Sequence, residues 1–140
     1  GLKTNGLNLE GKTIIVVEDD LPSVKYYETI LRKSGAGIKV FRNGKEFVDF
    51  ITVSKEKFDL VFMDFLVPLV NGIECTRFLR KSLKNVPVIM VTGYDSDQMK
   101  REAFLAGCNE YGLKPIYPEF IYNLLEKYLV EKVYQQSYIE

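Results

Sequence analysis

The chain of 140 residues contains no histidine, no tryptophan and only two cysteines, Cys75 and Cys108. Without imidazole, Ser-His-Asp and Cys-His catalysis cannot be assembled from these residues, and neither can a phosphohistidine. Two isolated cysteines with no CxxC spacing exclude a thiolate–imidazole zinc site and a disulfide framework, and they read as reduced core thiols. An excess of charge is also missing: nineteen basic and nineteen acidic side chains cancel. Nothing in that balance favours nucleic acid or an anionic membrane surface. No apolar run approaches the ~20 residues of a membrane span, and the opening "GLKTNGLNLEGK" is polar and glycine-containing, unlike a signal peptide. A cytoplasmic setting is expected. What remains, 46% hydrophobic and 27% charged, suits one soluble domain with a single core. Any catalysis would rest on carboxylates, lysine, hydroxyls and a metal.

Five apolar runs read as strands: "TIIVV" (13–17), "IKVF" (38–41), "LVFM" (60–63), "VPVIMVT" (86–92) and "EYGL" (110–113). The first, third and fourth are continuous rather than alternating, as in strands covered on both faces of a parallel sheet. Helical patterns fall between and after them. Pro22 opens the first, which carries Val24, Tyr27 and Leu31 and stops at Gly35. "NGKEFVDFIT" gives the second, and "NGIECTRFLRKSL" the third, with Cys75, Leu79 and Leu83 on one stripe. "YDSDQMKREAFLAG" gives the fourth, capped by Asp95 or Ser96 and ended by Gly107. Pro118 opens the fifth, with Ile121, Leu124, Leu125 and Tyr128 on its apolar face. Five strand–helix alternations define an α/β sheet with right-handed crossovers.

Ligands of such sheets bind beyond the C-terminal ends of the strands. Those ends are polar here. The first leads into Glu18, Asp19 and Asp20, the third into Asp64, the fourth finishes at Thr92, and the fifth precedes Lys114 and Pro115. Asp20 reads as a helix cap. Asp64, framed by "LVFM" and "FLV", needs a stronger reason, because an unpaired buried charge is costly. Converging carboxylates repel one another, and a divalent cation relieves that repulsion. Glu18, Asp19 and Asp64 can supply an oxygen site for Mg²⁺, with a backbone carbonyl from the loop after Asp64. A carboxylate beside Mg²⁺, with Lys114 and Thr92 to hold phosphoryl oxygens, is arranged to become an acyl phosphate. The sequence allows a cis Lys114–Pro115 bond without dictating it.

From Lys12 to about Leu129 the chain resembles the receiver domain of two-component response regulators. The resemblance rests on "VVEDD", "MDFLVPLVNG", "VTG" and "LKP", in the family order and spacing. It implies a flavodoxin-like sheet of strand order 2-1-3-4-5, with Asp64 as phosphoacceptor and Glu18 with Asp19 as the acidic pair for Mg²⁺. It implies further that the Leu66 carbonyl completes the metal shell, that Thr92 and Lys114 contact the phosphoryl group, and that Tyr111 reorients with Thr92. Leu66, Leu69, Val70, Asn71 and Ile116 depart from the usual pattern without removing a needed group.

The resemblance makes the chain a phosphoacceptor switch and not an enzyme as an isolated domain. Its partner would be a histidine kinase or histidine phosphotransfer domain, in cis or in trans, with no nucleic-acid or membrane contact of its own. "LNLEGKTI" resembles the junction before the C-terminal receiver of a hybrid sensor kinase. Residues 1–11 therefore read as a linker or remnant, 12–130 as the receiver, and 131–140 as an extension of the last helix or a tail. The fourth helix, fifth strand and fifth helix, with Tyr94, Met99, Phe104 and Tyr117, are the expected partner or dimer face. The alternative is an interaction module that is never phosphorylated. An aspartate-nucleophile phosphatase would want an acid at the position of Leu66, and a flavin module would want a glycine- and hydroxyl-rich loop where "EDDLPS" stands.

Overall fold

The five apolar runs pair as one parallel sheet in a computed structural model that describes residues 6–130. In chain order the elements are β1 (Thr13–Val17), α1 (Leu21–Arg32), β2 (Gly37–Phe41), α2 (Gly44–Val53), β3 (Leu60–Asp64), α3 (Gly72–Arg80), β4 (Val88–Thr92), α4 (Asp97–Ala106), β5 (Glu110–Leu113) and α5 (Pro118–Leu129). The strand order is β2-β1-β3-β4-β5, as the resemblance implied. Side chains alternate across each strand, so the sheet feeds two apolar layers. Ile14, Val16, Phe62 and Val91 pack beneath α1 and α5, against Tyr27, Leu31, Ile121 and Leu125. Ile15, Val17, Met63 and Met90 pack beneath α2, α3 and α4, where both cysteines are buried.

Helix ends follow their local chemistry. The side chains of Asp20, Asn43, Asn71 and Ser96 cap α1 to α4, each accepting from a backbone N–H three residues on. Gly107 ends α4 in the left-handed region at φ 114°. Among the expected boundaries that shift, two have a clear local cause. β4 begins at Val88, two residues later than the apolar run, because Pro87 has no N–H for the ladder and offers only its carbonyl, to Val61 N–H. α3 stops at Arg80, so Leu83 leaves the stripe and is partly exposed. There the Arg80 guanidinium donates to the carbonyls of Leu83 and Gly107, each at 3.0 Å, and to Asn109 Oδ1 at 2.9 Å. That knot turns the chain out of the helix.

Residues 7–11, set apart above as linker, lie folded against the domain. Leu9 is 1% exposed within the α1–α5 core, and its N–H donates to the Ser34 carbonyl at 2.7 Å. The segments 1–5 and 131–140, including the expected extension of the last helix, lie outside the described residues.

Candidate functional site

β1 and β3 are neighbours whose following helices leave towards opposite faces, which opens a crevice at their C-terminal tips. Val17 pairs with Met63, so Glu18 comes level with Asp64. One carboxylate oxygen from each of Glu18, Asp19 and Asp64 falls within a group whose members all lie within 4.8 Å of one another. Glu18 is 1% and Asp64 8% exposed, while Asp19 faces solvent. Three hard oxygen donors this close fit a Mg²⁺-sized cation.

Lys114 reaches this cluster from β5, across the tips of β4 and β3. Its Nζ lies 2.8 Å from Glu18 Oε1 and 3.4 Å from Asp64 Oδ1. Burial pushes the Glu18 carboxyl up to about 7. The Lys114 hydrogen bond opposes that shift, and the Asp64 charge adds to it. Burial disfavours the Lys114 ammonium, but Glu18 and Asp64 outweigh it and hold its pKa above the ordinary lysine value. The peptide bond from Lys114 to Pro115 is cis.

Thr92 ends β4, 1% exposed, and its Oγ1 accepts from Tyr94 N–H at 3.2 Å. Tyr111 Oη, from β5, donates to the Tyr94 carbonyl at 3.1 Å. Thr92 and Tyr111 thus grip the same residue of the β4–α4 loop, one through its N–H and the other through its carbonyl. Asp20 stays out of the cluster. It caps α1, accepting from Ser23 N–H at 3.1 Å and Ser23 Oγ at 2.7 Å, which hold its carboxyl below the ordinary value.

The loop after Asp64 is held by backbone packing. A Cβ on Gly72 would stand 2.5 Å from the Asp64 carbonyl oxygen, so only glycine lets α3 start directly under the β3 tip. Gly44 N–H donates to the Pro68 carbonyl at 3.0 Å, and a Cβ there would meet the Val70 carbonyl oxygen at 1.8 Å. Leu66 lies in this loop, half-exposed, and Leu69 adopts φ 72°, a left-handed conformation that leucine rarely takes.

One contact was not foreseen. Arg42, in the turn after β2, donates from Nε and Nη2 to the Asp19 carbonyl, at 3.1 and 2.7 Å. The only sequence signal was a basic residue at a strand end, which is common on any surface.

An acidic triad at the β1/β3 switch point, with a lysine just after β5 and a threonine at the end of β4, forms a polar pocket at the C-terminal edge of a flavodoxin-like sheet. The chain belongs to the response regulator receiver domain family, whose profile matches residues 14–126. It is 34% identical over 124 residues to hybrid signal transduction histidine kinase M of Dictyostelium discoideum, covering 85% of this chain but only 5% of that protein. It is 33% identical over 113 residues to the polar-differentiation response regulator DivK of Brucella anthropi, covering 79% of this chain and 90% of DivK. Among solved structures it resembles the receiver domain of Ssk1 from Saccharomyces cerevisiae, solved with the histidine phosphotransfer protein Ypd1. That similarity has a TM-score of 0.75 at 26% identity, over 84% of this chain and 88% of the other.

Proposed function

We propose that Asp64 accepts a phosphoryl group from a phosphohistidine in a Mg²⁺-dependent relay. The observation that carries this is the convergence of Glu18, Asp19 and Asp64 within 4.8 Å, with Lys114 Nζ 3.4 Å from Asp64. Asp19, Asp64 and the Leu66 carbonyl would hold the cation, with Glu18 bound more loosely or through water. When bound, Mg²⁺ neutralises the triad and the equatorial phosphoryl oxygens.

The chain's own groups do the rest. An Asp64 oxygen attacks phosphorus in line, the new O–P bond forms as the donor N–P bond breaks, and the imidazole leaves with the electron pair. Lys114 shifts its contact from Glu18 towards a phosphoryl oxygen. Thr92 Oγ1, now held by Tyr94 N–H, turns to donate to another. Withdrawing Thr92 frees that end of the β4–α4 loop, and Tyr111, bonded to the Tyr94 carbonyl, moves with it. The switch is read on the surface of α4, β5 and α5.

These residues contain no histidine, so the donor imidazole belongs to another domain or protein. The rim of the pocket is apolar: Leu66, Leu69, Tyr94 and Tyr117 stand on the loops after β3, β4 and β5 and Leu21 opens α1, each at least 51% exposed. Such a rim suits a folded protein donor better than a free small molecule. A hybrid kinase would supply that histidine in cis, and a relay protein in trans.

The test is phosphorylation by acetyl phosphate. With Mg²⁺ the parent chain gains one base-labile phosphoryl group, chelation prevents this, and Asp64→Asn gains none. Labelling of Asp64→Asn at the parent rate would overturn the assignment, and a parent that gains no phosphoryl group would leave the interaction-module reading.

A further inference from the structure

The peptide unit joining Asp19 to Asp20 is gripped at both ends. Its N–H, from Asp20, donates to Glu18 Oε2 at 3.3 Å. Its carbonyl, from Asp19, accepts both hydrogen bonds of the Arg42 guanidinium, from Nε at 3.1 Å and Nη2 at 2.7 Å. A peptide unit is planar, so holding its two ends fixes the backbone torsion that aims the Asp19 side chain. Asp19 needs such an aid. Glu18 and Asp64 are buried and both lie near Lys114, whereas Asp19 is exposed and stands outside those ion pairs.

Arg42 is itself well placed for the task. The carbonyl of Phe41, the residue before it, accepts Glu18 N–H at 2.9 Å, so the turn after β2 is stitched twice to the loop after β1. The guanidinium is a rigid planar fork, and two of its donors meet one oxygen. A lysine would bring the same charge but no fork.

We propose that Arg42 is a positioning residue for the Asp19 carboxylate, holding it ready for the cation. The proposal rests on the Mg²⁺ site described above. Arg42 has a second, opposite effect: its positive charge repels a cation. Because Arg42 is exposed, solvent and salt screen that repulsion, and the hydrogen-bond geometry dominates. The two effects predict opposite signs, which makes them separable.

The experiment is calorimetric Mg²⁺ titration of the full 140-residue chain at physiological ionic strength, for the parent, Arg42→Lys and Arg42→Met, with metal-free melts alongside. Both variants should bind Mg²⁺ about tenfold more weakly, the usual cost of losing a group that orients a ligand. Lysine should fail to rescue, and the metal-free melting temperatures should match the parent's. Unchanged affinity in both variants overturns the proposal, and so does an unchanged Arg42→Lys beside a tighter Arg42→Met. Should a variant melt early, faster amide exchange confined to Asp19 and Asp20 supports the proposal, and exchange spread over the sheet overturns it. A parent that binds no Mg²⁺ removes the metal reading as well, so the two failures are distinguishable.

Discussion

Lys114 and Glu18 form the closest ion pair of the acidic pocket, at 2.8 Å against 3.4 Å from the same nitrogen to Asp64. The lysine therefore leans towards Glu18 at the tip of β1 rather than towards Asp64. Glu18 is 1% exposed, and that burial disfavours its ionised form.

That imbalance sets a pH dependence for the metal-free protein. The Glu18 carboxyl is raised from 4.5 to about 7, so the folded state binds its proton more tightly than the unfolded state does. The resulting stability is fully present below pH 4.5 and is lost as pH rises through about 7. Thermal melts in chelator should show a falling contribution between pH 5 and 8, absent in Glu18→Gln, and Mg²⁺ should offset it by favouring the ionised form. A Glu18→Gln profile with the same slope as the parent's would show that other groups set it.

Much of this pocket could be read from the chain. Continuous apolar runs announce a sheet covered on both sides, and the carboxylates, threonine and lysine stand where those runs stop. Other features depend on contacts between residues distant in sequence. Leu9 looked like linker because it lies in a polar segment, yet it fills a core position beside α1. Leu83 fitted the stripe of α3 but was removed from it by Arg80, whose partners include Gly107 and Asn109. The Arg42 contact joins the ends of two strands and leaves no local pattern.

Asp19→Ala should lower Mg²⁺ affinity at least tenfold, about 1.4 kcal/mol. It should leave the metal-free fold no less stable, because it removes a charge from a repulsive cluster. Titration and chelator melts check both halves, and undiminished affinity would remove Asp19 from the metal site.

Gly72→Ala forces a methyl group to within 2.5 Å of the Asp64 carbonyl oxygen and 3.0 Å of Met63 and Met90 side-chain atoms. Relief requires moving the β3 tip, at a cost of about 2–3 kcal/mol. Denaturant unfolding should show that loss, and acetyl phosphate labelling should slow. A variant as stable as the parent would mean that α3 can shift freely.

Tyr122 is 2% exposed, and its hydroxyl has no hydrogen-bond partner among the described residues. Tyr122→Phe should therefore raise stability by about 1 kcal/mol, by removing an unsatisfied buried group. A clear loss in the unfolding free energy would show that the hydroxyl is satisfied in solution.

The lifetime of the phosphorylated state should depend on Leu66 and Tyr94, which are 51% and 56% exposed on loops beside Asp64. Leucine offers no hydrogen bond to an attacking water, and tyrosine covers its approach. If together they add about 1–2 kcal/mol to the barrier, Leu66→Asn with Tyr94→Ala should hydrolyse roughly tenfold faster while still accepting phosphate. Equal decay in a single-turnover assay would assign the lifetime to other groups.

The burial of the two cysteines has a practical consequence for chemical probes. Burial pushes Cys75 up to about 12 and Cys108 up to about 11. At neutral pH both thiols stay protonated, and both are buried away from reagents. Maleimides and mild oxidants should therefore pass both by in the folded protein. A cysteine introduced on the surface, for example at Val53, 79% exposed at the C-terminal end of α2, would be the single reactive handle among the described residues. A dye or spin label could then be attached with the native thiols left in place, and the acid pocket would be untouched.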